Sequence, residues 1–179
     1  MKKSLFFWQV LGFIFTGIAG VILHFLFDWA NQSIFVAPFS AVNESVWEHM
    51  KLLFFPMLLF AIIQNRYTGQ SFKNFWCVKL TGIVLGVVLI PILYYTINKI
   101  FYSAPDFVNI AIFYVASAVS YITETRLLKK DTINCISNKT AIGILALISL
   151  MFVVFTFTPP KIPLFEDPIT GSYGYYQMM

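Results

Sequence analysis

Residues 41–63 read AVNESVWEHMKLLFFPMLLFAII, and this stretch decides what kind of fold the chain adopts. Its first half carries two glutamates, a histidine and a lysine, whereas residues 52–63 are uninterrupted apolar sequence. A transmembrane helix needs about 20 predominantly apolar residues, and this run is shorter. Glu48, His49 and Lys51 must therefore lie within the membrane profile or line a water-filled cavity. Ionisable residues in such positions indicate a functional site.

The rest of the chain is equally apolar. Of its 179 residues, 59% are hydrophobic and only 11% are charged, and the mean hydropathy is +0.77. Soluble domains carry roughly 25% charged residues, so the composition predicts one integral membrane domain over residues 1–179, with the lipid bilayer as its partner. The net charge of +4 does not indicate nucleic acid, because the basic residues do not cluster in an aromatic-rich patch. We therefore expect no nucleic-acid partner.

Apolar segments of transmembrane length occur five times and predict an all-α, polytopic membrane helix bundle. The expected spans are residues 5–29, 44–64, 75–98, 107–127 and 140–158. Pro159 and Pro160 end the last span, because proline lacks an N–H and clashes with the preceding turn. Residues 159–179 are too rich in proline and glycine for a sixth span, and we expect them to form an external tail.

The lysines and arginines predict the orientation, because short cytoplasmic loops carry an excess of both. With the N-terminus inside, nine basic residues face the cytoplasm and three face outward. The nine are Lys2, Lys3, Arg66, Lys73, Lys79, Arg126, Lys129, Lys130 and Lys139, and the three are Lys51, Lys99 and Lys161. This bias predicts a multi-pass protein of the cell membrane with its N-terminus inside and its C-terminus outside.

Several residues on the predicted cytoplasmic side have structural interpretations. Cys77 and Cys135 lack metal-ligand spacing and fall in a reducing compartment, so we expect two separate, reduced thiols. We expect Glu124 to be a charge at the inner interface, near Arg126. The GxxxG motif at residues 82–86 favours close helix packing.

The acidic residues and the histidines collect on the opposite, outer side. The residues expected there are Asp28, Glu44, Glu48, Asp106, Glu166, Asp167, His24 and His49, whereas Glu124 and Asp131 face inward. Helix 1 runs outward and helix 2 runs inward, and consecutive elements are usually neighbours. We therefore expect His24 to meet Glu48 or His49 at a similar depth, just under the outer headgroups.

The start of helix 2 allows two interpretations. In the first, Asn43 is the N-cap, Glu44 lies in the first turn near the positive end of the helix dipole, and Lys51 pairs with Glu48. In the second, these residues form a site. His49 points about 100° away from Glu48 around the helix. A site that uses His49 and Glu44 together therefore needs a bent or unwound helix, for which the proline of the apolar run offers a break.

Three segments make the chain resemble a known family. They are AVNESVWEHMKLLFFPMLL at residues 41–59, HFLFDW at 24–29 and PPKIPLFEDPITGSYG at 159–174. Together they resemble a family of small bacterial polytopic membrane proteins, classed as a domain of unknown function, whose typical motif is close to PVNESVWEHLKLLFFP. Ala41 replaces the proline that begins that motif. The resemblance implies no reaction, but it implies that these residues belong to the family pattern: His24, Asn43, Glu44, Trp47, Glu48, His49 and Lys51.

The first functional hypothesis is a metal-binding site that is hydrolytic on a lipid or a phosphate-containing substrate. Histidine nitrogen and carboxylate oxygen suit Zn²⁺, and a catalytic zinc keeps one position open for water. The candidate ligands are His24, Asp28, Glu48 and His49. The candidate catalytic residues are Glu44 as general base, Glu48, and Lys51 as the partner of an anionic group. No HExxH spacing is present, and the sequence leaves open whether the chain is an enzyme.

Two other hypotheses stay open. In a transporter or channel component, His24, Glu44 and Glu48 relay protons or bind a cation. No internal repeat is detectable, and a homo-oligomer would supply the missing symmetry. In a non-catalytic membrane partner protein, the same polar residues hold the helices together through hydrogen bonds.

Overall fold

A computed structural model describes residues 2–101, 105–130 and 133–175, and within them the chain forms a bundle of long helices. They are α1 (Lys2–Trp29), α2 (Val46–Tyr67), α3 (Phe75–Phe101), α4 (Asp106–Leu128) and α5 (Asn138–Phe157), with a 3-10 turn at Gly69–Ser71. All five are long and apolar enough to cross a membrane. The predicted five-span, all-α fold is confirmed, and the helix bounds differ from the expected spans by three residues at most.

The antiparallel helices give the bundle two ends. The site end is where α1 ends and α2 begins, and the lysine-rich end is where α1 begins and α2 ends. Among the side chains that the structure describes at the lysine-rich end, the exposed basic ones are Arg66, Lys73, Arg126, Lys129, Lys130 and Lys139. Asp131, which the sequence also assigns to this side, lies outside the described residues.

Helix α2 is the centre of the bundle and packs against all four other helices. Its apolar run supplies the core, in which Leu53, Phe54 and Met57 are each at most 2% exposed. Helix α1 lies at the edge and exposes large apolar side chains such as Phe6 and Ile18. An apolar face of this kind is stable against lipid and costly in water, as expected for a transmembrane helix.

The GxxxG motif brings α3 and α4 close together. A Cβ atom on Gly82 would collide with the side chain of Glu124, and one on Gly86 would collide with the hydroxyl of Ser120. Both glycines therefore lie where only a hydrogen side chain fits, which confirms the predicted close packing.

The tail folds back over the site end. The Phe165 ring is buried against Trp47, with ring centroids 4.6 Å apart. The backbone N–H of Trp47 donates to the carbonyl of Leu164 over 3.0 Å. This contact ties the first turn of α2 to the tail. Residues 176–179 of the predicted tail lie outside the described residues.

Cys77 and Cys135 are joined in a disulfide, so the prediction of two separate, reduced thiols is wrong. The bond links the first turn of α3 to the loop before α5, and the two Cα atoms are 6.2 Å apart, within the usual range. Asn138 holds the same two segments together, because its amide donates to the Lys73 carbonyl over 2.8 Å and accepts from the Trp76 N–H over 3.1 Å. Sequence spacing gave no sign of this approach, because it depends on how α3 and α5 pack.

Candidate functional site

The site begins with the residues that precede α2. Ser45 is the N-cap, and its hydroxyl accepts from the N–H of Glu48 over 3.4 Å. Asn43 lies two residues earlier, where its Oδ1 accepts from the N–H of Ser45 over 2.9 Å and its amide donates to the carbonyl of Gly174 over 3.1 Å. The expected cap at Asn43 is therefore wrong, and Glu44 lies outside the helix. The backbone is non-helical just before α2, and the helix continues through Pro56. Glu44 therefore lies in the loop, where its side chain can turn toward His49.

Glu44 lies between the two histidines. Its Oε1 is 3.8 Å from Nε2 of His24, and its Oε2 is 3.4 Å from Nε2 of His49. The two imidazole rings have centroids 5.6 Å apart, which confirms that His24 and His49 meet across α1 and α2. One ligand atom from each of the three residues lies within 4.8 Å of the other two, and all three side chains are partly buried. Two helices and one loop thus converge on a single point.

The tautomer of His49 follows from its second nitrogen. Nδ1 of His49 is 2.9 Å from the carbonyl oxygen of Ser45. A carbonyl oxygen only accepts, so Nδ1 carries the proton and Nε2 of the neutral ring presents its lone pair toward Glu44. Metal-ligating histidines usually donate their second N–H to a carbonyl or carboxylate in this way, which fixes the ring.

A cavity of about 120 Å³ adjoins this cluster. Glu44 and His49 form part of its wall, and most of the remainder is apolar, including Ile112 and Phe113. Asn109 also lines it, and its buried Oδ1 has no hydrogen-bond partner among the described residues. The cavity thus offers one acceptor and a small apolar volume beside the carboxylate and the imidazole.

The tail closes this cavity through Pro168 and Ile169. The two tail acids point elsewhere: Glu166 accepts from the Tyr173 hydroxyl over 2.9 Å, and Asp167 accepts from the Thr170 hydroxyl over 2.7 Å. The bond to the Glu166 carboxylate raises the pKa of the Tyr173 phenol above its usual range. The acidic residues of the tail therefore shape a turn, while its apolar residues cover the site.

Glu48 and Lys51 lie deeper and pair with each other, with 2.6 Å between Lys51 Nζ and Glu48 Oε2. Lys51 also donates to the Ala37 carbonyl over 3.0 Å and to the Thr156 hydroxyl over 2.8 Å. Glu48 Oε2 accepts from the Val42 N–H over 3.0 Å. Both side chains are almost completely buried, and neither lines the cavity. Through these bonds the Glu48–Lys51 pair of α2 holds the loop before α2, at Ala37 and Val42, and also binds α5 at Thr156.

Of the six residues proposed as metal ligands or catalytic groups, the structure brings together three: His24, Glu44 and His49. Glu48 and Lys51 are held in their own pair one turn away. The side chain of Asp28 is exposed on the last turn of α1 and does not join the cluster. Asp28 follows His24 by one turn of α1, but Glu44, not Asp28, completes the group.

Sequence reasoning missed a second buried ion pair. Lys79 of α3 and Glu124 of α4 bond to each other near the lysine-rich end, and each is at most 1% exposed. The interpretation of Glu124 as an interfacial charge near Arg126 is wrong. The available signal was that Lys79 and Glu124 both lie about one helical turn inside an apolar span, where an unpaired charge is costly. Asn109, a polar residue in the first turn of α4, was missed as well.

The fold and this cluster define a class: a polytopic membrane protein with a histidine–carboxylate group at one end of its helix bundle. The chain belongs to the Family of unknown function (DUF6512), whose model matches residues 2–175. The resemblance inferred from three sequence segments is therefore confirmed over almost the whole chain. No curated protein matches the chain, and neither does any solved structure.

Proposed function

We propose that this chain is a multi-pass protein of the cell membrane that binds a divalent metal ion, with Zn²⁺ the best match, and uses it to hydrolyse a small amphiphilic substrate. The observation that carries the proposal is the convergence of His24, Glu44 and His49, whose ligand atoms lie within 4.8 Å of one another.

The donor set supports zinc. Two imidazole nitrogens and one carboxylate oxygen are a known catalytic zinc set, with the fourth position open for water. Ligands about 2.0–2.1 Å from a tetrahedral zinc lie about 3.4 Å from each other. The separation between Glu44 and His49 is 3.4 Å, and that between Glu44 and His24 is 3.8 Å. These two distances reach different oxygens of Glu44, and one ligand atom from each of the three residues lies within 4.8 Å of the other two. Metal binding therefore requires the ligand atoms to close by up to about 1.4 Å. His49 is already held in the tautomer that leaves Nε2 free to bind.

The cavity supports hydrolysis. A metal ion supplies a bound water of lowered pKa, which is the nucleophile of such reactions. Glu44 is the carboxylate in the cavity wall. A carboxylate that binds the metal through one oxygen keeps the other to accept a proton, so Glu44 serves as both ligand and general base.

The cavity also limits the substrate. Its volume of about 120 Å³ is somewhat smaller than the roughly 150 Å³ of an apolar cavity that holds benzene. A short acyl or isoprenoid-sized group fits beside Ile112 and Phe113. Asn109 Oδ1 would accept a hydrogen bond from the polar part of the substrate. Lys51 lies outside this wall, so an amide, whose N–H can donate to Asn109 Oδ1, matches the site better than a phosphate does.

Metal analysis tests the first half of the proposal. Full-length protein purified in mild detergent without chelators is expected to hold about one equivalent of zinc, and His24→Ala and His49→Ala are expected to lose it. Asp28→Asn is the matched control, because Asp28 lies one turn from His24 but outside the cluster. Absence of bound zinc, or equal loss in Asp28→Asn, would contradict the proposal.

Activity against model substrates tests the second half. We expect zinc-dependent hydrolysis of p-nitroanilides with short acyl chains, and little hydrolysis of p-nitrophenyl phosphate. Glu44→Gln is expected to lower kcat by about 100-fold or more, in the range of general-base catalysis. Full activity after removal of the metal would refute metal-dependent hydrolysis.

We also propose that the N-terminus lies in the cytoplasm. The support is the excess of exposed lysine and arginine at the lysine-rich end. The disulfide at that same end favours an oxidising compartment, so the two signals favour opposite orientations. Reporter fusions at each terminus distinguish them, and a periplasmic N-terminus would overturn the lysine-based assignment.

Ion or proton transport is the second candidate. The observation that favours it is that buried ion pairs occur at two depths, Glu48–Lys51 and Lys79–Glu124. Ion flux in proteoliposomes that disappears in Glu48→Gln would favour this function over hydrolysis. Ion flux no greater than in protein-free vesicles would exclude the transport function.

A further inference from the structure

We propose that the lysine-rich end holds an anionic phospholipid, with one acyl chain in a groove between α1 and α4 and its headgroup at Arg126 and Lys129. This site is separate from the histidine–carboxylate cluster, which lies at the other end of the bundle.

The groove has a volume of about 390 Å³. Its walls are mainly apolar, with Phe6, Val10 and Phe13 on α1 facing Ala118 and Ile122 on α4. The groove therefore accepts a hydrocarbon chain and offers little to a polar solute.

The length of the groove matches one membrane leaflet. From Ala118 to Lys129 the helix rises by about 16 Å, at about 1.5 Å per residue. One leaflet of the hydrocarbon core is about 15 Å thick. An acyl chain that reaches Ala118 therefore leaves its headgroup at the level of Lys129.

The charges are placed for an anionic headgroup. Arg126 and Lys129 line the groove at its open end and are exposed. Among the described residues, neither takes part in an ion pair, and no acidic residue lines the groove. Arginine and lysine at a helix end attract the phosphate of anionic lipids.

A second depression continues the basic surface. Its volume is about 440 Å³, Lys129 lies in its wall as well as in the groove, and Lys73 and Lys130 complete its charge. Of the described residues that line it, none is acidic. The groove and the depression thus share Lys129, and together their walls carry four basic side chains.

Gln9 gives the groove one polar contact below the headgroup. It lines the groove and is 3% exposed, and its Nε2 has no partner with good hydrogen-bond geometry within the described part of the chain, although the amide lies beside the Glu124 carboxylate. Gln9 Oε1 is 3.5 Å from Lys79 Nζ, and Lys79 pairs with Glu124, which lies about 3 Å along the α4 axis from Arg126. The ester carbonyls of a phospholipid lie at this depth, just below the phosphate.

Lipid retention by the full-length protein tests the site. The protein is incorporated into nanodiscs with equal amounts of phosphatidylglycerol and phosphatidylcholine, extracted into detergent, and analysed by native mass spectrometry. We expect about one retained phosphatidylglycerol per chain. The Arg126→Gln/Lys129→Gln variant is expected to bind it roughly 30-fold more weakly, from the loss of two interfacial charges.

Matched variants separate the two parts of the site. Arg66→Gln/Lys139→Gln removes two exposed charges at the same end that line neither cavity, and it is expected to retain the lipid. Ala118→Phe, or Val10→Phe from the opposite wall, fills the groove and is expected to prevent retention without a loss of thermal stability. Equal retention of the two lipids, an equal loss in the control variant, displacement by inorganic phosphate, or a dimer that covers this face would each overturn the proposal.

Discussion

Two lysine–glutamate pairs are buried in the described part of this bundle, and the contacts around them differ. At the site end, Lys51 donates to Glu48, to the Ala37 carbonyl and to the Thr156 hydroxyl, so all three ammonium hydrogens have a partner. The Glu48 carboxylate also accepts from the Val42 backbone. This pair takes part in holding the backbone before α2.

At the lysine-rich end, the pair of Lys79 and Glu124 is less well satisfied. Lys79 has a second, long contact of 3.5 Å to Gln9 Oε1. The Gln9 amide interacts with the Glu124 carboxylate, but neither Gln9 Nε2 nor Glu124 Oε1 has a partner with good hydrogen-bond geometry in the described part of the chain. Gln64, also buried at this end, leaves both of its side-chain polar atoms without a partner there.

The comparison shows that burial alone does not determine whether an ion pair stabilises the fold. A buried pair stabilises a fold only when its geometry and its additional hydrogen bonds offset the cost of removing both charges from water. The Glu48–Lys51 pair meets this condition, and it lies directly beneath the cluster of Glu44 and His49. We therefore expect the site end to depend on its pair and the lysine-rich end to depend on other contacts.

The largest change in the free energy of unfolding is expected for Lys51→Met. The substitution leaves the Glu48 carboxylate buried without a cation, and it removes the donor to Ala37 and Thr156. Removing one partner of a buried pair costs about 3–5 kcal/mol. Denaturant unfolding of the purified protein in detergent measures this loss. Lys161→Met is the control, because Lys161 is exposed at the same end and should change the free energy of unfolding by less than about 0.5 kcal/mol.

The second prediction concerns what holds the lysine-rich end instead. The disulfide joins Cys77 to Cys135, which are 58 positions apart in the sequence, and its removal in Cys77→Ser/Cys135→Ser should lower the free energy of unfolding by about 2–4 kcal/mol. Wild-type protein unfolded in the presence of reductant should give the same value. Rapid alkylation of both cysteines in the unreduced native protein would show that the bond does not form.

The helices could be predicted from the sequence because each depends on a local apolar run. The meeting of His24 and His49 could also be predicted, because antiparallel neighbours place residues of similar depth together. The position of Glu44 could not, because it depends on a cap at Ser45 and on a bond between Asn43 and Gly174, which is 131 residues away.

The pairs at the lysine-rich end were hidden for the same physical reason. Lys79 and Glu124 are 45 residues apart, and Cys77 and Cys135 are 58 apart. Composition and helical periodicity describe one helix at a time, whereas these contacts depend on the rotation and the separation of neighbouring helices. The glycine motif at residues 82–86 indicated that α3 and α4 are close, but not which side chains face each other.

Gln64→Leu is expected to raise the free energy of unfolding, by less than the preceding substitutions lower it. Oε1 and Nε2 of Gln64 are buried and unpartnered within the described residues, and an amide without partners is costly to bury. Replacing it with an apolar side chain of similar size should stabilise the protein by about 1 kcal/mol. Gln70→Leu, at an exposed position of the same end, should have almost no effect on unfolding. A clear destabilisation by Gln64→Leu would show that this amide has a partner in the native protein.

The smallest effect is expected when both members of the Lys79–Glu124 pair are replaced together. Apolar substitution of a whole buried pair is often neutral or stabilising, so Lys79→Met/Glu124→Leu should unfold within about 1 kcal/mol of the wild type. The matched variant at the site end, Glu48→Leu/Lys51→Met, should lose about 2–3 kcal/mol, because it removes the partners of the part-buried Val42 N–H and of the buried Ala37 carbonyl. Equal losses in the two double variants would mean that the unsatisfied atoms around Glu124 cost little, and that the two pairs are equivalent in the native bundle.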